Sequence, residues 1–361
     1  MLLIDDIKKY DASDMFSVLK DFPEQMEKAV ALAEKFIGFT SKNKSTQNVL
    51  IIGMGGSAMG GDVVKDYFEF SGVKNKIRVT VSRGYDIPQY VDEKTLVICS
   101  SYSGNTEETL EAAAKAFAIT KKVACITSGG KLSEFAKENG LPVLEIPGGL
   151  QPREALGYSV VSMLYMLLNS GLLAKTEVKK ATDDIANTIQ VVKVLAENFV
   201  KFEEPNIAVT VAEMLKDSMV MVYSSEKFYA ANLRWRCQLQ ENCKMLAFGS
   251  MIPEMNHNEI NGFERPADVI SKSTIVVFND DSDHPRIKQR IEALKEVIDD
   301  RISTVVELTA SESDYLPKLF EYMYLGDWVS YYMAMMLKID PTPIPVIQKF
   351  KTMLSEPNKE N

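Results

Sequence analysis

The sequence predicts a doubly wound α/β protein built as two parallel-sheet lobes in tandem, and three observations carry that prediction. Short apolar runs bounded by Gly and Ser recur along the chain, amphipathic stretches separate them, and the alternation resumes after Pro205. Buried parallel strands read as continuous apolar runs, and their alternation with helices marks a sheet covered on both faces. At 361 residues the chain has room for two to three domains of about 150 residues. Its 46% hydrophobic and 25% charged residues match ordinary globular composition and exclude wholesale disorder.

Residues 1–45 place Met26, Val30, Leu32 and Phe36 at helical spacing, with Asp11 or Ser13 as caps, which predicts a helical lead-in. From Asn48 the apolar runs 49–52, 78–82, 95–99, 123–127 and 143–146 are expected strands, with helices over 107–118 and 131–139 between them. A long apolar helix is expected over 153–173, closing a first lobe at 46–175. The polar stretch 176–204 is expected to cross to the second lobe, and Pro205-Asn206 marks the boundary. That lobe, 205–361, repeats the theme with runs at 219–223, 274–278 and 304–308. Open α/β sheets bind ligands beyond the carboxyl ends of their strands, so the loops there, and a cleft between the lobes, are where chemistry is expected.

Several function classes fall away. Lys plus Arg number 41 against 50 Asp plus Glu, a net charge of −9, and no basic run tracks a phosphate backbone, so no nucleic-acid partner is expected. No apolar run reaches the 18 or so residues of a membrane span, and Asp5-Asp6 interrupts the opening Met1-Leu2-Leu3-Ile4 before a signal peptide could form. Cys99, Cys125, Cys237 and Cys243 form no C-x-x-C pair and read as reduced thiols of a cytoplasmic protein. With only His257 and His284, a three-His zinc site and the H-E-x-x-H motif are excluded, and acid–base chemistry falls mostly to other residues.

The first chemically suggestive loop is Gly53-Met54-Gly55-Gly56-Ser57-Ala58-Met59-Gly60-Gly61, between the run 49–52 and a helix. Glycines let backbone N–H groups approach an anion, and a helix N-terminus adds about half a positive charge. Gly53, Gly55 and Ala58 also fit the loose dinucleotide pattern, but Arg83 stands where that site wants an acidic residue. A tight turn requiring positive φ is the plain alternative. The second loop, Ser100-Ser101-Tyr102-Ser103-Gly104-Asn105-Thr106-Glu107-Glu108-Thr109, offers hydroxyls at another strand-to-helix junction. Its alternative is a cap made by Asn105 and Glu108. Thr127-Ser128-Gly129-Gly130 reads as a plain turn, and His284 as a helix-start residue.

The glycine loop followed by Ser101-Tyr102-Ser103-Gly104-Asn105-Thr106 resembles the sugar isomerase (SIS) domain, a phosphosugar-binding fold of flavodoxin-like lobes. Later segments resemble one branch of that group, the bifunctional phosphoglucose/phosphomannose isomerases. The resemblance implies that Gly55, Gly56, Ser57, Ser101, Ser103 and Thr106 hold a sugar phosphate. Glu241, by itself an ordinary solvated or capping residue, lies in Gln240-Glu241-Asn242, similar to the family's Asn-Glu-Asn stretch that carries the catalytic base; Gln240 departs from it. His257 in Met255-Asn256-His257-Asn258-Glu259-Ile260 resembles the family's ring-opening His, which reaches a neighbouring subunit, implying a homodimer; a loop-stabilising His is the alternative. Arg153 in Pro152-Arg153-Glu154-Ala155 resembles the Arg that stabilises the enediolate, and a cation at a helix start, where the dipole repels it, fits a functional role. Asp340-Pro341-Thr342-Pro343 leads into what resembles the family's closing C-terminal helix, whose ring-opening Lys matches Lys351, with Lys349 as rival; both could be ordinary helix-end charges. Together these imply a cofactor-free, metal-independent aldose–ketose isomerase interconverting glucose 6-phosphate, and mannose 6-phosphate, with fructose 6-phosphate through an enediolate. A non-catalytic phosphosugar sensor is the alternative.

Overall fold

A computed structural model describes residues 7, 9–39, 46–202 and 205–355. The lead-in forms α1 (Met15–Lys20) and α2 (Phe22–Ala33). Of the two expected caps, Asp11 acts, its carboxylate accepting from the N–H groups of Met15 (2.8 Å) and Phe16 (2.9 Å), and Asp14 joins it by accepting from Ser17. Phe22, Met26, Ala29 and Ala33 recur at helical spacing on the buried face of α2.

The first sheet follows as β1 (Asn48–Ile52), α3 (Gly55–Phe70), β2 (Arg78–Ser82), β3 (Leu96–Ser100), α4 (Glu107–Ile119), β4 (Val123–Thr127), α5 (Gly130–Glu138) and β5 (Val143–Glu145). All pairings are parallel, in the order β2-β1-β3-β4-β5, with Ile52 opposite both Ser82 and Cys99. Chain direction across the sheet reverses between β1 and β3, which opens a crevice under the two suggestive loops.

The helix expected over 153–173 is corrected by the structure: Pro152–Ala155 is a 3-10 turn, and α6 runs only over Leu156–Leu168. A capping box of Gln151 and Glu154 fixes the turn, and Gly171, at φ +78, bends the chain away beyond the helix end. Helix α7 (Lys175–Phe199) fills the expected crossing, followed by α8 (Ile207–Leu215). The second sheet contains β6 (Met219–Ser225), α9 (Tyr229–Asn242), β7 (Ala247–Ile252), two 3-10 turns (Glu254–His257 and Glu259–Gly262), α10 (Ala267–Ile270), β8 (Ser273–Phe278), α11 (Pro285–Ile298), β9 (Thr304–Leu308), α12 (Tyr315–Met336) and α13 (Pro345–Ser355). Its order is β7-β6-β8-β9, again all parallel. Strand β7 escapes the sequence reading because Phe248-Gly249-Ser250 interrupts its apolar character; Gly249 is required, since a Cβ there would lie 2.0 Å from the Val222 carbonyl oxygen. His284 caps α11 as expected, Nδ1 accepting from the Arg286 N–H at 3.1 Å.

Helix α12 is buried on almost every face, and its Trp328, Tyr331 and Tyr332 share one continuous core with Val49 and Ile51 of the first sheet and Val220 and Val222 of the second. Burial of each large side chain contributes roughly 2–3 kcal/mol, so the lobes are fused through this helix. Helices α3 and α9 cross the lobe boundary antiparallel: Asp66, late in α3, accepts from the Ala230 N–H at the start of α9 (3.3 Å). Among the described residues no helix is long and apolar enough to cross a membrane. All four cysteines are free thiols.

Candidate active site

The site begins where α3 begins. The first N–H groups of a helix have no intrahelical partner, so those of Gly55 and Gly56 face the crevice together with the positive end of the helix dipole. Gly55 adopts φ +51, and a Cβ on Gly56 would stand 2.6 Å from the Pro152 carbonyl oxygen. Glycine at both positions thus serves the turn and lets the Arg153 segment lie directly on the loop. Ser57 is buried, and its hydroxyl accepts from the Tyr102 N–H (3.2 Å), which joins the two loops. In the second loop the hydroxyls of Ser101 and Thr106 are hydrogen-bonded at 2.9 Å, while Ser103 lies exposed at the rim and accepts from the Asn105 N–H.

The capping alternative for this loop is not what forms. Thr106 occupies the cap position without a side-chain cap bond, and Asn105 instead donates to the Ser103 carbonyl and accepts from the Lys131 N–H. The expected plain turn at 127–130 is a buttress: a Cβ on Gly104 would fall 1.8 Å from the Gly129 carbonyl oxygen, so the hydroxyl loop rests on that turn backbone to backbone.

Arg153 and Glu241 meet beside these loops. Arg153 is 3% exposed, and its Nη1 donates to Glu241 Oε2 at 3.3 Å. Nε donates to Asn242 Oδ1 (2.8 Å), and Nη2 to the carbonyls of Pro341 (2.9 Å) and Thr342 (2.8 Å). The guanidinium therefore ties the end of α9 to the root of α13. Burial pulls it below its ordinary pKa, and the Glu241 and Glu154 carboxylates offset part of that fall. Lys244, at φ +57 just past α9, donates to the carbonyls of Glu241 (2.7 Å) and Pro341 (2.9 Å). Burial, followed by the charge of Arg153, holds this ammonium below its usual range. Two cations thus face the negative end of α9, where a helix C-terminus by itself disfavours a carboxylate. Glu241 keeps a partly open side chain, 27% exposed.

Glu241, a candidate from its sequence neighbourhood, lies at a sheet end that the strand-end rule does not single out. The phosphate-type loops lie at the carboxyl end of the first sheet as expected, but Glu241 closes α9 and therefore lies at the amino end of the second. Antiparallel packing of α3 on α9 brings those two ends together. Asn242 and the carbonyls at 341–342 were missed as site groups; only Asn242's place beside Glu241 hinted at them.

The remaining candidates stand apart within one chain. His257 is exposed in the 3-10 turn beyond the carboxyl end of β7, level with the start of α9. The 14 residues of α9 rise about 21 Å, so His257 and Glu241 lie at opposite ends of that lobe. Lys349 and Lys351 both ride on α13, which is exposed along its length. Among the described residues, no group of three or more His, Cys, Asp or Glu side chains could hold a metal ion.

Residues 204–354 match the family described as bacterial phospho-glucose isomerase C-terminal SIS domain. The chain is 39% identical over 345 residues to a bifunctional phosphoglucose/phosphomannose isomerase of Caldicellulosiruptor bescii, covering 95% of this chain and 99% of that protein. It is 32% identical to the protein of the same description from Aquifex aeolicus, over 86% of this chain and 91% of the relative. Among solved structures, a hypothetical protein of Thermus thermophilus superposes with a TM-score of 0.72 at 17% identity, covering 97% of this chain and 92% of that one. The C-terminal domain of a glucosamine-fructose-6-phosphate aminotransferase from Francisella tularensis gives 0.71 at 16% identity, over 91% and 98%. Both structures share the two-lobed fold, and the sequence relatives settle the branch: the chain belongs to the bifunctional phosphoglucose/phosphomannose isomerase family.

Proposed function

We propose that this protein is a metal-independent aldose–ketose isomerase that interconverts glucose 6-phosphate and mannose 6-phosphate with fructose 6-phosphate. The observation that carries the reading is the meeting of the α3 N-terminus with the Arg153–Glu241 pair across the lobe boundary. The N–H groups of Gly55 and Gly56 and the hydroxyls of Ser57, Ser101 and Thr106, with Ser103 at the rim, take the phosphate dianion. Glu241 then removes the proton from carbon 2 of the open-chain aldose. The C–H electron pair forms the C1–C2 double bond, and the carbonyl pair moves to O1. A proton passes from O2 to O1, and as C2 becomes the carbonyl, Glu241 returns its proton to carbon 1. The remaining Nη1 proton of Arg153 faces the enediolate oxygens, beside a carboxylate that the same guanidinium orients. Removing the carbon 2 proton flattens that centre, so glucose and mannose phosphates share one intermediate and differ only in the face on which the proton returns.

Ring opening falls to His257 and Lys351. Because α9, about 21 Å long, lies between the end of the lobe that carries Glu241 and the end that carries His257, the His257 that serves this site comes from a second copy in a homodimer. Val346, Phe350, Met353 and Leu354 form an exposed apolar stripe on α13, and Leu246 and Phe248 are exposed at the edge strand β7; a second copy would cover them. The carbon-bound proton has Glu241 to accept and return it, so EDTA is expected to leave turnover unchanged. Fructose 6-phosphate incubated with the protein in excess EDTA, with products resolved by NMR, is expected to yield both aldose phosphates. Folded protein that binds the substrate and forms neither product would make the chain a phosphosugar sensor instead.

A further inference from the structure

Helix α12 carries two buried polar side chains that the proposed reaction does not use, and both lead to Arg153. The Asp327 carboxylate accepts from Arg234 Nη2 (2.7 Å) and from Gln238 Nε2 (2.9 Å). Arg234 Nη2 also donates to the backbone carbonyl of Arg153 (3.1 Å). One turn further along α12, the Ser330 hydroxyl donates to the Asp327 carbonyl (2.8 Å) and accepts from Asn242 Nδ2 (2.9 Å). Asn242 Oδ1 in turn accepts from Arg153 Nε. The bonds close a ring, from the Arg153 carbonyl through Arg234, Asp327, Ser330 and Asn242 back to the Arg153 guanidinium.

The ring has a simple origin in the sequence. Arg234, Gln238 and Asn242 recur every four residues, so they form one stripe of α9 facing α12. Asp327 and Ser330 are three apart and form the complementary ledge. Asp327 is 2% exposed and Ser330 wholly buried, so each bond lies in a low-dielectric interior where a misplaced polar group is costly. The stripe ends at Asn242, next to Glu241, so fixing it also fixes the base.

Resting on the isomerase reading above, we propose that Asp327 and Ser330 are positioning residues for the reaction. They hold Arg153 by both its backbone and its side chain, and through Asn242 they set the guanidinium against Glu241. They touch no substrate and act only through Arg234 and Asn242.

A double-mutant cycle tests this. Ser330→Ala, Asn242→Ala and the double variant are compared in turnover of fructose 6-phosphate, with folding checked by thermal melting. Small displacements of catalytic groups cost up to about 10²-fold in rate. Ser330→Ala is accordingly expected to lower kcat about tenfold with KM within about threefold, and the second substitution is expected to add little to Asn242→Ala. Ser162→Ala, which removes an equally buried but unpartnered hydroxyl from α6, is expected to leave kcat unchanged. Asp327→Asn probes the other arm; should it fail to fold, the Ser330 cycle decides alone. Wild-type kcat in Ser330→Ala, or independent and additive losses, would overturn the positioning role while leaving the isomerase reading intact. An inactive wild-type protein would overturn the isomerase reading itself.

Discussion

At the reversal point of the first sheet, between β1 and β3, the loops gather helix N–H groups and hydroxyls, whereas in the second sheet, which reverses between β6 and β8, a carboxylate of the protein itself is buried just past β8. Asp280, just past β8, is wholly buried and accepts from Lys318 Nζ (2.8 Å), the Ser282 N–H (2.8 Å) and the Tyr322 hydroxyl (3.2 Å). Burial pushes this carboxyl up, but Lys318 and Ser282 outweigh it and hold it below the usual range. Topology supplies a crevice at each reversal point; side chains decide whether a ligand can enter it. In the second lobe an internal anion is held by Lys318, Ser282 and Tyr322, and the contribution proposed for that lobe comes from the opposite end of α9 instead.

The sharpest test of that division is Glu241→Gln, which removes the base proposed at the amino end of the second sheet. A general base contributes about 10²–10⁴-fold, so kcat is expected to fall about 10³-fold with KM nearly unchanged. Turnover within tenfold of wild type would sink the assignment. Next in size is Asp280→Ala, which strands Lys318 in the interior and is expected to cost about 3 kcal/mol in calorimetric stability without altering KM. Since the folded carboxyl titrates low, this stabilisation is present above the ordinary carboxylate value of about 4 and is lost as pH falls through the folded value.

Ser101→Ala removes one hydroxyl from the open crevice and is expected to raise KM about tenfold, the worth of one hydrogen bond to a charged group. Its counterpart, Ser225→Ala at the end of β6, is expected to leave KM alone. Equal effects in the two lobes would abolish the distinction. An effect seen only as a pH dependence is expected at Asp66, whose carboxyl burial pushes up to about 7 against the pull of Lys65. The folded state there holds its proton more tightly than the unfolded chain. Stability from this group is therefore fully present below about pH 4 and is shed as pH rises through about 7. Asp66→Asn is expected to flatten that dependence by on the order of 5 °C in Tm; an unchanged pH profile would remove Asp66 as its source.

Elements whose signal is local were legible. The apolar runs became strands, with boundaries shifted by a residue or two, and Gly55, Gly56, Ser57, Ser101 and Thr106 form one crevice because turn chemistry at two neighbouring strand ends is written in adjacent residues. Strand β7 was hidden because Gly249 answers to a neighbouring carbonyl rather than to a hydrophobic period. Arg153 was expected at the head of a long helix and occupies a 3-10 turn, since Gln151 and Glu154 satisfy each other's backbone before the helix starts.

By itself the sequence determined the alternation of strands and helices, the glycine and hydroxyl loops, and the residue types able to bind phosphate and move a proton, because periodicity and turn propensity act over a few residues. Only the tertiary structure decided that α3 and α9 lie antiparallel, that Arg153 gives most of its donors to Asn242 and the chain at 341–342, and that Glu241 and His257 end up at opposite ends of one lobe. Those outcomes depend on how faces pack and buried polar groups find partners between segments far apart in the chain, and no local pattern encodes that choice.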